Sequence, residues 1–291
     1  MKETILITGA TGTVGSETVK ALSALDVHVR AGVHSLIKGD RFRGLPNVDM
    51  VHLVFQDSET LRVAFTGVDR VFLITPLAEN QVEAAEKMID MARQTGVRHI
   101  VRLSASGAGE EPGIQLGRWH REVELYLEQS GMAYTHLRPS SFMQNFVTNA
   151  AASICDSNAI YMPFGHARIS FVDARDVAAV AREVLTQPGH ENKTYEISGP
   201  EAITVNEVAH ALTQATDRMI TYVDVPEEAA LAAMRQRQMP EWMIGVLMEL
   251  NDTCKTGHAS QVNDTIEKLT GSKPRTIYDF AQDYSSCFQP G

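Results

Sequence analysis

His120 and Glu124 stand four residues apart in a stretch with helical spacing, so they share one helix face. A carboxylate at that spacing can orient an imidazole and raise its pKa. His120 would then be able to donate a proton or a hydrogen bond near neutral pH. The alternative is a packing histidine beside a glutamate from a surface pair. Ser104 and Ser106 close the run His99-Ile100-Val101-Arg102-Leu103-Ser104-Ala105-Ser106, where a buried strand would carry two small hydroxyls to its carboxyl end. Such hydroxyls either orient a substrate oxygen or end the strand with local backbone bonds. No metal is expected, because two ligands at helical spacing lack the rest of a coordination set.

A second group of residues has no reactive side chains. Residues 8–15 read Thr8-Gly9-Ala10-Thr11-Gly12-Thr13-Val14-Gly15, directly after the apolar Thr4-Ile5-Leu6-Ile7 and before a helix-like stretch. Gly9 would end the strand in a tight turn, Gly12 would let a pyrophosphate approach the backbone, and Gly15 would let the helix lie close on the sheet. A helix starting near Thr13 points free N–H groups and its positive dipole end at the phosphates. In this strand–turn–helix setting the glycine spacing predicts a dinucleotide site; a bare turn without ligand is the alternative. An NAD-preferring unit places Asp or Glu at the end of its second strand. Here His34 occupies that place, with Lys38, Arg41 and Arg43 close behind. A 2′-phosphate would meet positive charge there, which favours NADP(H) and leaves NAD(H) open; a solvated basic loop is the other reading.

Many hydride-transferring enzymes protonate their product through Tyr-x-x-x-Lys, in which the lysine lowers the phenol's pKa. None of the seven tyrosines has a lysine four residues on: Tyr126, Tyr134, Tyr161, Tyr195, Tyr222, Tyr278 and Tyr284 are followed at that spacing by Ser130, Arg138, Gly165, Gly199, Pro226, Gln282 and Phe288. An ordinary alcohol dehydrogenase is therefore disfavoured, and His120, Ser104 and Ser106 are left as candidate catalytic groups.

Alternating apolar runs and helical segments must hold these residues. The pattern predicts strands over 4–8, 27–33, 48–54, 70–75, 99–104 and 134–138, with helices over 15–25, 58–65, 80–95 and 116–130. Parallel strands joined by helices give an α/β, doubly wound Rossmann sheet with its ligand outside the strands' carboxyl ends. After Pro139 the pattern predicts a helix over 142–153, a short strand over 168–172, a helix over 174–185 and a strand over 193–198, then a mainly helical remainder. The expected division is a dinucleotide-binding domain over 1–155, with a returning segment near 168–198, and a smaller substrate lobe over 199–291. Within that lobe Met234, Met239, Trp242, Met243, Met248 and Leu250 suit a pocket for flat apolar ligands, or plain core or a subunit contact.

The 291 residues carry a formal net charge of −10, which argues against nucleic acid as a partner. No apolar run approaches a membrane span and no leader pattern is seen, so the expectation is a cytoplasmic protein without membrane attachment. A small apolar or aromatic substrate is expected, with a homodimer left open. Cys155, Cys254 and Cys287 are widely spaced and read as reduced thiols rather than a disulfide framework.

Together these residues resemble the NmrA-like branch of atypical short-chain dehydrogenase/reductases along nearly the whole chain. The resemblance rests on the glycine loop, on Gly67-Val68-Asp69-Arg70-Val71-Phe72-Leu73-Ile74-Thr75-Pro76, on Leu137-Arg138-Pro139 with Phe142-Met143-Gln144-Asn145, and on Ile169-Ser170-Phe171-Val172-Asp173-Ala174-Arg175-Asp176-Val177-Ala178. His190-Glu191-Asn192-Lys193-Thr194-Tyr195 and Gly199-Pro200 complete it. It implies that Gly12 belongs to a pyrophosphate site, that Thr11, Thr13 and Val14 lie beside the phosphates, and that Thr75 and Pro76 line the nicotinamide side. The family commonly has Arg in place of His34, and Gly-Asp where this chain has Phe55-Gln56-Asp57, so adenine contact passes to Phe55, Gln56 or Asp57. Active members include type-2 quinone oxidoreductases, azoreductases, triphenylmethane dye reductases and festuclavine-type dehydrogenases. The resemblance thus implies an NAD(P)H-dependent reductase of a quinone-like or conjugated aromatic substrate. Its alternatives are an NmrA-type redox-sensing regulator without turnover and an imine or enone reductase of secondary metabolism.

Overall fold

Each apolar run in the first half of the chain becomes a strand in the computed structural model, which describes residues 2–111 and 113–290. The strands are β1 (Thr4–Ile7), β2 (His28–Val33), β3 (Val48–His52), β4 (Arg70–Leu73), β5 (His99–Leu103), β6 (Ala133–Pro139), β7 (Ala159–Met162), β8 (Lys193–Ile197) and β9 (Thr221–Asp224). Seven of them form one sheet in the order β3-β2-β1-β4-β5-β6-β8. The pairings from β3 across to β6 are all parallel. The order reverses between β1 and β4, and a doubly wound sheet opens its ligand crevice at such a point, outside the carboxyl ends. The predicted Rossmann sheet is therefore present.

Two compact units share the chain. The first spans Met1–Gly113, Gly117–Arg138 and Ala174–Glu196; the second spans Ile114–Leu116, Pro139–Asp173 and Ile197–Gly291. The returning helix Ala174–Thr186 of the first unit lies against the Thr13–Ser23 helix. Residues 139–155, which the sequence pattern places with the first unit, fall in the second.

Burial explains why the first unit's elements lie where they do. Leu6, Val71, Leu73 and Ile100 from the strands, Ala85, Met88 and Ile89 from the Gln81–Thr95 helix, and Val123 and Leu127 from the Gln115–Gln129 helix belong to one core, and all of them are fully buried. Each large aliphatic side chain so buried contributes about 1.5–3 kcal/mol. Val123 and Leu127 thereby hold the Gln115–Gln129 helix on the sheet, with His120, Glu124 and Glu128 in register along a neighbouring face.

The second unit's remainder is mainly helical, as the pattern predicts, and two expectations are corrected. The strand expected over 168–172 reduces to isolated bridges, Ile169 with Ile203 and Phe142 with Val172. Ser170 shows why: its N–H donates to the Ala259 carbonyl at 2.9 Å and its carbonyl accepts from the Ser140 hydroxyl, so loops take the groups a strand would use. The helix expected over 142–153 is two short helices, Asn145–Asn149 and Ala151–Ser157. The mainly helical remainder also contains β9, which pairs in parallel with β7. Its core gathers Phe146, Phe171, Leu212, Phe280 and Phe288. Among the described residues no helix is long and apolar enough to cross a membrane.

Candidate active site

The glycine loop leaves β1 through Thr8, whose hydroxyl donates to the Ile74 carbonyl at 2.9 Å and accepts from the Ile74 N–H at 2.7 Å. Gly9 then turns with φ +60°, a conformation that a side chain would strain. The Gly12 N–H closes the turn on the Gly9 carbonyl at 2.9 Å. Gly15 has a different reason from the one expected. A Cβ there would stand 2.4 Å from the Gly9 carbonyl oxygen, so the third glycine is required by the loop's own backbone rather than by helix–sheet packing.

Gly12 N-caps the Thr13–Ser23 helix without a side-chain cap, and no acidic residue sits in the first turn. Gly12 and Thr13 are exposed and Thr11 half-buried, while Val14 is buried in the core. An exposed helix N-terminus with uncapped donors suits an anionic pyrophosphate, so these residues fit a dinucleotide. Arg41 adds charge at the same place, because its guanidinium donates to the Thr11 carbonyl.

The other residues expected at the cofactor are distributed unevenly. His34 and Lys38 are exposed, with the His34 ring 6.4 Å from that of His52. Arg43 is paired with Asp40 at 2.8 Å. Gln56 is exposed, whereas one oxygen of Asp57 caps the Ser58–Phe65 helix, accepting from the Glu59 and Thr60 N–H groups. That cap contributes about 1 kcal/mol, so Asp57 has a structural task as well as its place near the sheet edge. Thr75 is half-buried and Pro76 exposed, directly after the Ile74 that Thr8 holds.

The candidate catalytic residues lie in a buried charge network that strand alternation creates. Residues two apart on a strand point to one face, which brings together Arg102 and Ser104 of the β5 edge with His136 and Arg138 of β6; Arg102 and His136 are register partners. From the facing helix come His120, Arg121, Glu124 and Glu128. Glu124 has no exposed surface, and its oxygens accept from Ser104 (2.7 Å), from Arg138 (2.9 and 2.6 Å) and from Arg121 (3.1 Å). Burial alone would raise the Glu124 carboxyl, but hydrogen bonds from Arg138 and Ser104 outweigh it and hold the group at about 2.

This geometry overturns the expected Glu124–His120 pairing. The half-buried His120 accepts at Nδ1 from the Arg102 guanidinium at 3.1 Å. Burial and the Arg102 charge push its pKa down to about 3, against a weaker pull from Glu124. His120 is thus a neutral imidazole with its proton on Nε2: a hydrogen-bond donor, but not an imidazolium acid at neutral pH. Arg102 is itself almost fully buried, with its pKa lowered to about 10 by desolvation, and its Nε has no hydrogen-bond partner. The Ser104 hydroxyl is committed to Glu124, and the exposed Ser106 pairs with Glu196.

Sequence spacing showed the helix partners of this network but missed Arg102, His136 and Arg138. The missed signal was the alternation Arg102-x-Ser104 and His136-x-Arg138, polar residues repeating at period two inside otherwise apolar strands. Among the described residues, Glu124, Glu128 and His136 offer ligand atoms within 4.8 Å of one another, as a metal site would require. Guanidinium groups already hold the two carboxylates, however: Arg121 lies 2.7 Å from Glu128 and 3.1 Å from Glu124. The cluster reads as a compensated charge group.

Comparison with known proteins adds independent findings. The NmrA-like family model matches residues 1–287. The chain is 38% identical to the NAD(P)H azoreductase of Xenophilus azovorans over 284 residues, 98% of this chain and 99% of that protein. Among solved structures, the NADPH-dependent quinone oxidoreductase of Escherichia coli complexed with NADPH superposes with a TM-score of 0.84 at 26% identity, covering 96% of this chain and 99% of that one. The triphenylmethane reductase of Citrobacter sp. complexed with NADP(H) superposes with a TM-score of 0.82 at 26% identity, covering 97% and 99%.

Proposed function

The chain belongs to the NmrA-like family and is an NAD(P)H-binding oxidoreductase, and from that premise we propose that it passes hydride to a quinone-like or conjugated, electron-poor aromatic substrate. The observation that carries this reading is the uncapped helix N-terminus behind Gly12, with Arg41 on the loop carbonyl. NADP(H) is the favoured cofactor, since Arg41 and Lys38 offer a 2′-phosphate positive charge and the second strand ends without an acid. Both superposed relatives are NADP(H) complexes.

When bound, the reduced nicotinamide supplies the hydride. The backbone donors of Thr13, Val14 and Gly15 hold the phosphates, and Thr75 and Pro76 border the adjoining strand end. His120 donates a hydrogen bond from Nε2 to the substrate oxygen or nitrogen on which negative charge collects, and the proton that completes the reduction comes from water. Arg102 fixes the His120 tautomer from Nδ1. Ser104 serves through Glu124, by anchoring the carboxylate that compensates the arginines.

The test is cofactor titration of the purified protein, followed by turnover with a panel of quinones, azo dyes and triphenylmethane dyes. The expected result is NADPH oxidation with at least one acceptor. Arg41→Ala should weaken NADPH binding about tenfold, equivalent to about 1.4 kcal/mol, and NADH binding less. Tight cofactor binding with no acceptor turned over would instead favour a redox-sensing regulator. Equal losses for both cofactors in Arg41→Ala would remove the 2′-phosphate assignment.

A further inference from the structure

Cys155 and Cys287 are 132 residues apart in the chain but adjacent in the second unit. The Cys155 Sγ lies 3.8 Å from the Cys287 carbonyl oxygen and donates to the Gln289 carbonyl at 3.2 Å. A carbonyl oxygen is two bonds from its own Cα, so the Cys155 sulfur reaches to within a side chain's length of the Cys287 backbone. Disulfides join residues whose Cα atoms are within roughly 7 Å, a separation that this contact permits. Cys287 is exposed and Cys155 half-buried. The third thiol, Cys254, is buried, which pushes its pKa up to about 11 and leaves it inert.

The two segments are also held together without a covalent bond. Arg218 donates to the Phe288 carbonyl at 2.6 Å on one side, and to the Ile154 and Cys155 carbonyls at 3.1 and 3.3 Å on the other. It also reaches the Asn158 side chain. Phe288 is fully buried and meets Phe280 edge-on, and the Gln289 side chain donates to the Thr216 carbonyl. One guanidinium thus bridges the Ala151–Ser157 helix and the Ser285–Phe288 turn, and holds the Cys155 side chain beside the Cys287 backbone.

We propose that Cys155 and Cys287 form a reversible intramolecular disulfide when the protein meets a peroxide. The exposed Cys287 thiolate attacks one peroxide oxygen, the O–O bond breaks, and Cys287 becomes a sulfenic acid; the hydroxide released takes up the proton the thiol had lost and leaves as water. The Cys155 thiolate then displaces the sulfenic hydroxyl, forming the Sγ–Sγ bond and releasing a second water. In sum, two thiols and one hydrogen peroxide give one disulfide and two waters. A thiol reductant reverses the change through a mixed disulfide.

The test treats the full-length chain with hydrogen peroxide and measures intact mass, titratable thiols after denaturation, and linked peptides. The expected product is two hydrogens lighter and monomeric, has lost two of its three thiols, and contains a peptide joining residues 155 and 287; dithiothreitol restores the starting mass. Cys254→Ser should leave the linkage intact. In Cys155→Ser, Cys287 should instead accumulate as a sulfinic acid. Circular dichroism of both variants checks that they are folded. Oxidation confined to Cys287 in the unmodified chain, linkage between two copies, or three unreacted thiols would each overturn the proposal.

Discussion

Glu124 decides whether the buried charges beside β5 and β6 are tolerable. It faces Arg138 and Arg121 directly, and its negative charge also offsets that of Arg102. Removing one member of a buried ion pair costs about 3–5 kcal/mol, because the remaining charge stays desolvated. Glu124→Gln keeps the shape but not the charge, so the unfolding free energy from a denaturant titration should fall by an amount in that range; an unchanged value would mean that the arginines find other partners. The sequence reading paired Glu124 with His120 because helical spacing sees one helix at a time. It placed both residues on one face correctly, but had no means of knowing that Arg138 of β6 would take the carboxylate, and that burial with Arg102 of β5 against the imidazole would reverse the expected shift in His120. The acceptor Nδ1 of His120 makes Nε2 its only donor, so in its proposed role the ring can serve one substrate atom.

Among the elements, the glycine loop has the least freedom to change. Gly15→Ala should keep the helix, since alanine favours it, yet force the loop to shift, because the added Cβ would meet a backbone oxygen rather than a flexible side chain. The expected outcome is a loss of NADPH affinity of about tenfold or more with an unaltered far-UV spectrum; unchanged affinity would show that the loop yields without harm to its donors. β1 to β6 were legible in the sequence because buried parallel strands between helices leave apolar runs of strand length, closed by turn residues such as Gly67 and Gly96. The second unit was less so. β7 and β9 are four-residue strands that pair only with each other, with exposed Tyr161 and Val223 along them, and so carry too little burial to leave a pattern. The expected strand at 168–172 failed for the reverse reason: its residues are buried, as in a strand, but loops satisfy its backbone. Arg41 at the glycine loop was visible only as one member of a basic run, since nothing in spacing separates the arginine that reaches the loop from those that do not.

For the whole molecule, stability should depend on pH with a definite sign. His99, His120 and His136 are lowered from 6.5 to about 4, 3 and 4, mainly by burial, and Glu124 is lowered from 4.5 to about 2. In each case the unfolded chain binds protons that the folded chain refuses, so stability rises with pH across these windows. It should begin to fall below about pH 6.5, by roughly 1–2 kcal/mol per histidine at pH 5, with Glu124 adding its loss below about pH 4.5. Thermal midpoints measured from pH 8 to 5 should decline through that range, and a flat profile would refute the assignment of neutral buried imidazoles. A last consequence belongs to Thr8. Its hydroxyl gives and takes a hydrogen bond with the same residue, Ile74, and so behaves like a peptide unit borrowed from a side chain. The sheet is thereby stitched one step past its strands, at the place where its order reverses. A ligand arriving there meets a floor that is already rigid, and whatever adjustment binding requires must come from the basic rim that carries Arg41.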